Sequence, residues 1–278
     1  MTKRVWIPEH IVPGKQLGRH VEHDPRSLAY LVEESATLAS VQWARQVPVF
    51  DQGDLGSCTG NAAAGCLGTD PYYATLPSGL TDDENEAVTL YEAATRLDSI
   101  RGAYPPDDTG STGLAVAKAA KNAGLISGYK HATSITAALS ALQTGPVITG
   151  VNWYEGFDEP DANGRVSIAG SIRGGHEFVV DGYDADAGLV YAHNSWGTSW
   201  GLAGRFCFSV DDWTRLLSED GDVTQFVPVT QPAPTPTPTP TPPAPSSVFQ
   251  ELLDLVARDA SAIKADVEAW YTKHFGSN

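Results

Sequence analysis

The stretch that most narrows what this chain can fold into is Gln52-Gly53-Asp54-Leu55-Gly56-Ser57-Cys58, which runs directly into the small residues Thr59-Gly60-Asn61-Ala62-Ala63-Ala64. A glycine-rich turn followed by small side chains predicts a buried helix that opens on the cysteine. Ser57 stands where it can cap that helix. Cys58, in the first turn, meets unpaired N–H groups and the positive end of the helix dipole, both of which favour a thiolate. The Cys58 N–H and the Gln52 side-chain amide, carried back by the turn, can point at one spot and stabilise an oxyanion. The chemistry anticipated is nucleophilic attack by sulfur.

Attack on an amide also requires a base for the thiol proton and a third group that fixes the base's tautomer. Two later segments offer them: Gly174-Gly175-His176, followed by Phe178-Val179-Val180-Asp181-Gly182-Tyr183, and Asn194-Ser195-Trp196-Gly197-Thr198-Ser199-Trp200-Gly201. Both lie far beyond Cys58, so the groups are expected to meet in a cleft between two subdomains. In this order the three segments resemble those of papain-like cysteine peptidases, over roughly Val47 to Phe208.

The resemblance implies Cys58 as nucleophile, His176 as general base and acid, Asn194 as orienter of the imidazole, and Gln52 in the oxyanion hole. It implies Trp196 as a shield over the His–Asn hydrogen bond. It also implies that Gly110 and Ser111 offer backbone hydrogen bonds to an extended substrate, with Gly175 and Trp196 as further substrate contacts; a plain helix-capping turn is the competing reading of Gly110 and Ser111. Leu55 and Thr59 depart from the family's pattern, standing where many members have a disulfide-forming cysteine and an aromatic residue. Glu177 stands where a small residue is common. It either turns inward and raises the imidazole pKa or alternates out of the strand.

With 278 residues the chain can bury a sizeable core, as one large domain or two small ones. No apolar run approaches the roughly 18 residues that span a bilayer. Glu9, His10 and Lys15 interrupt any apolar core of a signal peptide, so synthesis in the cytoplasm without standard export is expected. A net charge of −16 argues against nucleic-acid and anionic-membrane partners and for solubility or attraction to basic substrates. Three cysteines cannot close a full disulfide framework, and Cys66 and Cys207 read as small buried hydrophobes.

No metal or other cofactor is called for. His20-Val21-Glu22-His23-Asp24 has no second Cys/His pair and reads as a solvated loop. Patterns for zinc hydrolysis or nucleotide chemistry are absent. Gly197-Thr198-Ser199-Trp200-Gly201 fits the serine-hydrolase elbow, but a strand follows it where a helix is needed.

Residues 1–46 read as an arm packed on the catalytic domain at 47–230, either its first layer or a vestige of the pro-segment that many such enzymes carry. Thr81-Asp82-Asp83-Glu84 predicts a capping box before a core helix that buries Ala87, Val88, Leu90, Tyr91, Ala94 and Leu97. Further helices are predicted from about Leu114 to Ala123, ended by Gly124, and from Ile135 to Leu142. Strands are predicted from Gly145 to Val151, Val166 to Ile168, Phe178 to Tyr183, Leu189 to Ala192 and Arg205 to Val210. The class is α+β: a helical lobe with Cys58 and an antiparallel, barrel-like lobe with His176 and Asn194. Residues 231–246 alternate Pro with Thr and read as a semi-rigid spacer. Residues 247–278 read as an isolated amphipathic helix that self-associates or docks on a protein partner.

The function expected is a cysteine endopeptidase of bacterial or bacteriophage type, without the usual disulfides, acting on peptides or proteins. Two alternatives stay open: a cell-wall peptide hydrolase with the same mechanism, and a catalytically weak papain-like binding module whose working part is the last helix.

Overall fold

The computed structural model describes residues 3–5, 9–76, 83–229 and Lys264, all but the last within one unit, Met1–Thr230. The expected spacer and C-terminal helix lie outside the described residues. At the N-terminus β1 (Lys3–Val5) pairs antiparallel with β2 (Val21–His23). His20–Asp24 is therefore not a solvated loop: Val21 is buried, because its strand lies on the domain. No cluster of three metal-ligating side chains exists among the described residues. A short β3 (Val41–Gln42) follows.

Next comes α1 (Cys58–Leu67), all ten residues of which are buried. Small side chains on every face let it sit in the middle of the fold. Its Gly60 lies so close to the next helix, α2 (Glu84–Thr95), that a Cβ there would strike the Ala87 carbonyl. The N-cap of α2 is Asp83, whose carboxylate accepts the Asn85 and Glu86 N–H groups, an arrangement the helix dipole favours. Thr81, expected to start a capping box, lies outside the described residues. Leu97, expected in the core, falls past the helix end and is exposed. Thr112 caps α3 (Gly113–Asn122) by accepting the Ala115 N–H, and Gly124, at φ +75°, turns the chain out of it.

The rest of the domain alternates sheet and helix: β4 (Ile126–Ala132), α4 (Ile135–Leu142), β5 (Val147–Tyr154), β6 (Ile172–Asp184), β7 (Leu189–His193), β8 (Arg205–Ser209), α5 (Val210–Ser218) and β9 (Asp222–Pro228). The strands form one antiparallel sheet in the order β4-β9-β5-β6-β7-β8, with β3 also on β6. Val166–Ile168 is not a strand; that region makes only an isolated bridge between Arg165 and Cys207. β6 begins earlier than expected, so His176 and Glu177 lie inside it, opposite Val151 and Gly150 of β5.

Two apolar clusters fill the two sides. One joins α1, α2 and α3 to Ile148, Val179 and Phe226 of the sheet. The other is aromatic, built on Trp153, Phe178, Trp196, Trp200, Phe206 and Trp213. No described helix is long and apolar enough to cross a membrane.

Candidate active site

Cys58 opens α1 as expected, but its surroundings differ from the sequence expectation. Ser57 occupies the N-cap position without capping: its hydroxyl accepts from Asn61 Nδ2 at 3.0 Å. The sulfur is fully buried, and burial pushes the thiol well above its ordinary pKa, against a smaller lowering by the Glu177 backbone N–H, which donates to it. That N–H belongs to the peptide bond between His176 and Glu177. The first turn of α1 and the middle of β6 therefore meet at the sulfur.

His176 is also fully buried. Its Nε2 lies 2.7 Å from Asn194 Oδ1. The same oxygen accepts the Ser195 backbone N–H at 2.8 Å, which fixes it as the amide's oxygen and makes Nε2 the donor. Nδ1 is thus the lone-pair nitrogen, and it has no hydrogen-bond partner. Burial drives the imidazole pKa down to about 3; the Asn194 bond opposes this, and the Arg173 charge adds to it. Glu177 does not raise it. One base is held neutral, with its tautomer set by Asn194.

Gln52 is tied to the same segment. Its N–H donates to the Ser195 carbonyl at 2.9 Å, and its side-chain oxygen accepts the Ser195 hydroxyl at 2.6 Å. The side-chain NH2 therefore faces the turn, where it donates to the Leu55 carbonyl at 2.8 Å. Among the described residues that is its sole acceptor, so the second N–H remains available. Trp153 and Trp196 wall the imidazole, with ring centroids 4.7 and 5.1 Å from it. They keep water from the His176–Asn194 bond.

The four sequence-designated substrate contacts are brought to one line, and that line is occupied. Trp196 Nε1 donates to the Gln16 carbonyl at 2.9 Å. The Gly175 carbonyl accepts the Gly18 and Arg19 N–H groups at 3.2 and 2.9 Å. Ser111 donates to the Gly18 carbonyl at 2.9 Å and accepts from the His20 N–H at 2.8 Å. Gly110, at φ +66°, backs onto the Gly18 carbonyl so closely that no Cβ would fit, which a glycine alone satisfies twice over. Gly18 in turn presses on Gly56, two residues before Cys58. Residues 16–20 of the N-terminal arm thus lie along the cleft beside the sulfur.

No protein-family model matches the chain. Among solved structures it is similar to xylellain, a cysteine protease from Xylella fastidiosa, with TM-score 0.61 and 15% identity over 80% of this chain and 100% of that one. It is also similar to digestive procathepsin L 3 of Tenebrio molitor larval midgut, with TM-score 0.54 and 17% identity over 71% of this chain and 72% of that one. The fold is papain-like. A curated relative, a gut-specific cysteine proteinase of Caenorhabditis elegans, is 30% identical over 179 residues, 58% of this chain. The chain spans about half the length of that relative, which is covered to 53%.

Within this papain-like fold all three cysteines are free thiols, and Cys66 and Cys207 are buried. Glu177 does not alternate out to solvent. It is fully buried on the face of β6 opposite His176, with burial and the Asp222 charge pushing its carboxyl well above the usual range. Its companions there, Arg19 and Asp222, were not singled out from sequence. In sequence Arg19 is one cation in an arm with no motif of its own, and Asp222 one more acid in an acidic chain. The glycine pair Gly18–Gly56 was the available signal, since two glycines in different segments permit close backbone passage.

Proposed function

We propose that this chain is a cysteine peptidase that hydrolyses peptide bonds through a Cys58 thioester. His176 Nδ1 takes the Cys58 proton as the sulfur attacks the scissile carbonyl carbon. The resulting oxyanion is held by the Cys58 N–H and the free Gln52 side-chain N–H. Collapse expels the amine, which leaves with the proton from the imidazolium, and the acyl group stays on sulfur. Water, deprotonated by the neutral imidazole, then attacks the thioester and releases the acid and the thiol. Asn194 keeps the imidazole in the tautomer that leaves Nδ1 free. The observation that carries this reading is the buried imidazole with Nε2–H tied to Asn194 and Nδ1 unpartnered, on the peptide bond that touches the Cys58 sulfur. Ser111, Gly175 and Trp196 are read as the groups that hold an extended substrate, by the bonds they now make with the arm, and Gly110 as the residue that lets the chain pass close beside them, its own N–H being taken by the Tyr91 hydroxyl. Turnover on this reading requires the arm to leave the cleft.

The curated relative's description as a proteinase supports peptide substrates, and the enzyme is read as the disulfide-free, bacterial or bacteriophage type. Cell-wall peptides remain the alternative substrate, and residues 247–278 a partner-binding or self-associating helix on a Pro/Thr spacer. Digestion of a peptide library and of purified peptidoglycan by wild type and Cys58→Ala tests the mechanism. Cleavage that vanishes in the variant is expected. Equal cleavage by the two proteins would refute it, and the substrate consumed separates the two classes.

A further inference from the structure

Arg19 lies in a surface arm, yet its side chain is wholly buried. Its guanidinium forms an ion pair with Asp222 and donates through Nη2 to the Asp220 carbonyl at 2.7 Å; Nε and Nη1 have no hydrogen-bond partner. Glu177 enters the same space from β6, with both carboxyl oxygens lacking hydrogen-bond partners. Two glycines make the room. A Cβ at Gly150 would stand 2.5 Å from Arg19 Nε and 2.6 Å from Glu177 Oε2, and one at Gly113 would stand 2.7 Å from Glu177 Oε1. A cavity of about 460 Å³ continues from Gly113 and Asp222 past His131 and Asp220. The recess has two acids on its wall, Glu177 and Asp222, and no side chain at Gly113 or Gly150 to fill it. It suits a long cation.

The backbone that delivers Arg19 is held by Gly175 and Ser111, two of the groups assigned above to substrate. We propose that the recess formed by Gly113, Gly150, Glu177 and Asp222 is a substrate subsite that selects an arginine or lysine side chain, with Arg19 as its resident occupant in the closed chain. This rests on the peptidase reading. Selection comes largely from rejection: an apolar side chain in the recess would remove the cation from beside the buried Glu177 carboxyl and the half-buried Asp222 carboxylate, a larger penalty than a difference in fit. The net charge of −16 draws basic peptides toward the same face of the problem, the encounter.

The test uses the full chain, wild type and Arg19→Ala, with irreversible peptidyl ketone probes that differ only in carrying arginine, leucine or glutamate, first or second from the reactive group. Adducts on Cys58 are read by mass spectrometry, with iodoacetamide as a probe that needs no subsite. At one of the two positions the arginine probe is expected to label at least tenfold faster than leucine, with glutamate slowest. That ratio is expected to collapse in Asp222→Asn and to fall in Glu177→Gln; being internal to each protein, it does not depend on the yield of folded variant. Labelling by leucine as fast as by arginine at both positions in wild type and Arg19→Ala would overturn the subsite and leave the peptidase reading standing. If iodoacetamide reacts at Cys58 and no peptidyl probe does in either protein, both fall.

Discussion

Replacing Arg19 by alanine tests whether the arm is held in the cleft chiefly by one side chain. The change removes a buried ion pair with Asp222 and the hydrogen bond to Asp220, while the backbone bonds to Gly175 and Ser111 stay. A buried charged hydrogen bond contributes about 1.5–3 kcal/mol, and stranding its partner adds to the loss. Here the adjoining cavity lets water reach Asp222, which limits that addition, so a net of about 2–3 kcal/mol is reasonable. At about 1.4 kcal/mol per tenfold, the open population rises roughly 30- to 150-fold. The assay is the rate of iodoacetamide adduct formation at Cys58 at fixed pH, with Cys66 and Cys207 in the same protein as buried references. Cys58 alone should accelerate. A rate within twofold of wild type would refute the assignment of Arg19 as the anchor, and equal acceleration of all three thiols would mean general unfolding instead.

Asn194→Ala removes the acceptor that sets the His176 tautomer, a hydrogen bond that becomes charge-assisted when the imidazole is protonated; kcat for a cleaved peptide should fall about 10- to 100-fold with KM little changed, as steady-state kinetics would read. His176 also makes the fold acid-sensitive. Its folded pKa of about 3 lies below the unfolded 6.5, so the unfolded chain binds the extra proton between those values and stability is lost as pH falls through that window, by up to about 1.4 kcal/mol per unit. Denaturant midpoints measured from pH 7 to pH 3 should drop less steeply in His176→Gln than in wild type; parallel curves would contradict the assigned burial.

What was legible in the sequence lay within continuous segments, although the Ser57 cap and the Val166–Ile168 strand show that local signals also mislead. Cys58, His176 and Asn194 stand in short runs whose local chemistry declares itself, and α4 matches its predicted limits because Ser134 and the apolar spacing are local signals. What was not legible depends on partners far along the chain. The Cys58 environment was expected to favour a thiolate from the helix terminus alone, whereas burial within the folded domain outweighs that local field. β4 carries Gly128, Lys130 and His131, and owes its place to pairing with β9, nearly a hundred residues later. Glu177 reads as an outward residue by alternation until Gly113 of α3 and Arg19 of the arm pack against that face, and Arg19 has no meaning before its acids are in place.

The arm carries one further consequence, which concerns ionisation more than access. Burial is the largest cause of both shifts, upward for the Cys58 thiol and downward for the His176 imidazole, so the closed chain favours a neutral thiol and a neutral imidazole. The segment from Gln16 to His20 lies against the neighbours of both groups, Gly56 before Cys58 and Gly175 and Trp196 about His176. If its departure admits water, the thiol falls and the imidazole rises, and proton transfer between them becomes favourable where it was not. The pH dependence of Cys58 alkylation separates this from simple blocking. In the wild type the rate should climb only above the ordinary thiol value of 9.0. In Arg19→Ala the midpoint should move down, because the desolvation that raises it is relieved. A midpoint that stays in place while the rate rises by a constant factor at every pH would mean that the arm only excludes the reagent, and that helix α1 and strand β6 alone keep the pair uncharged.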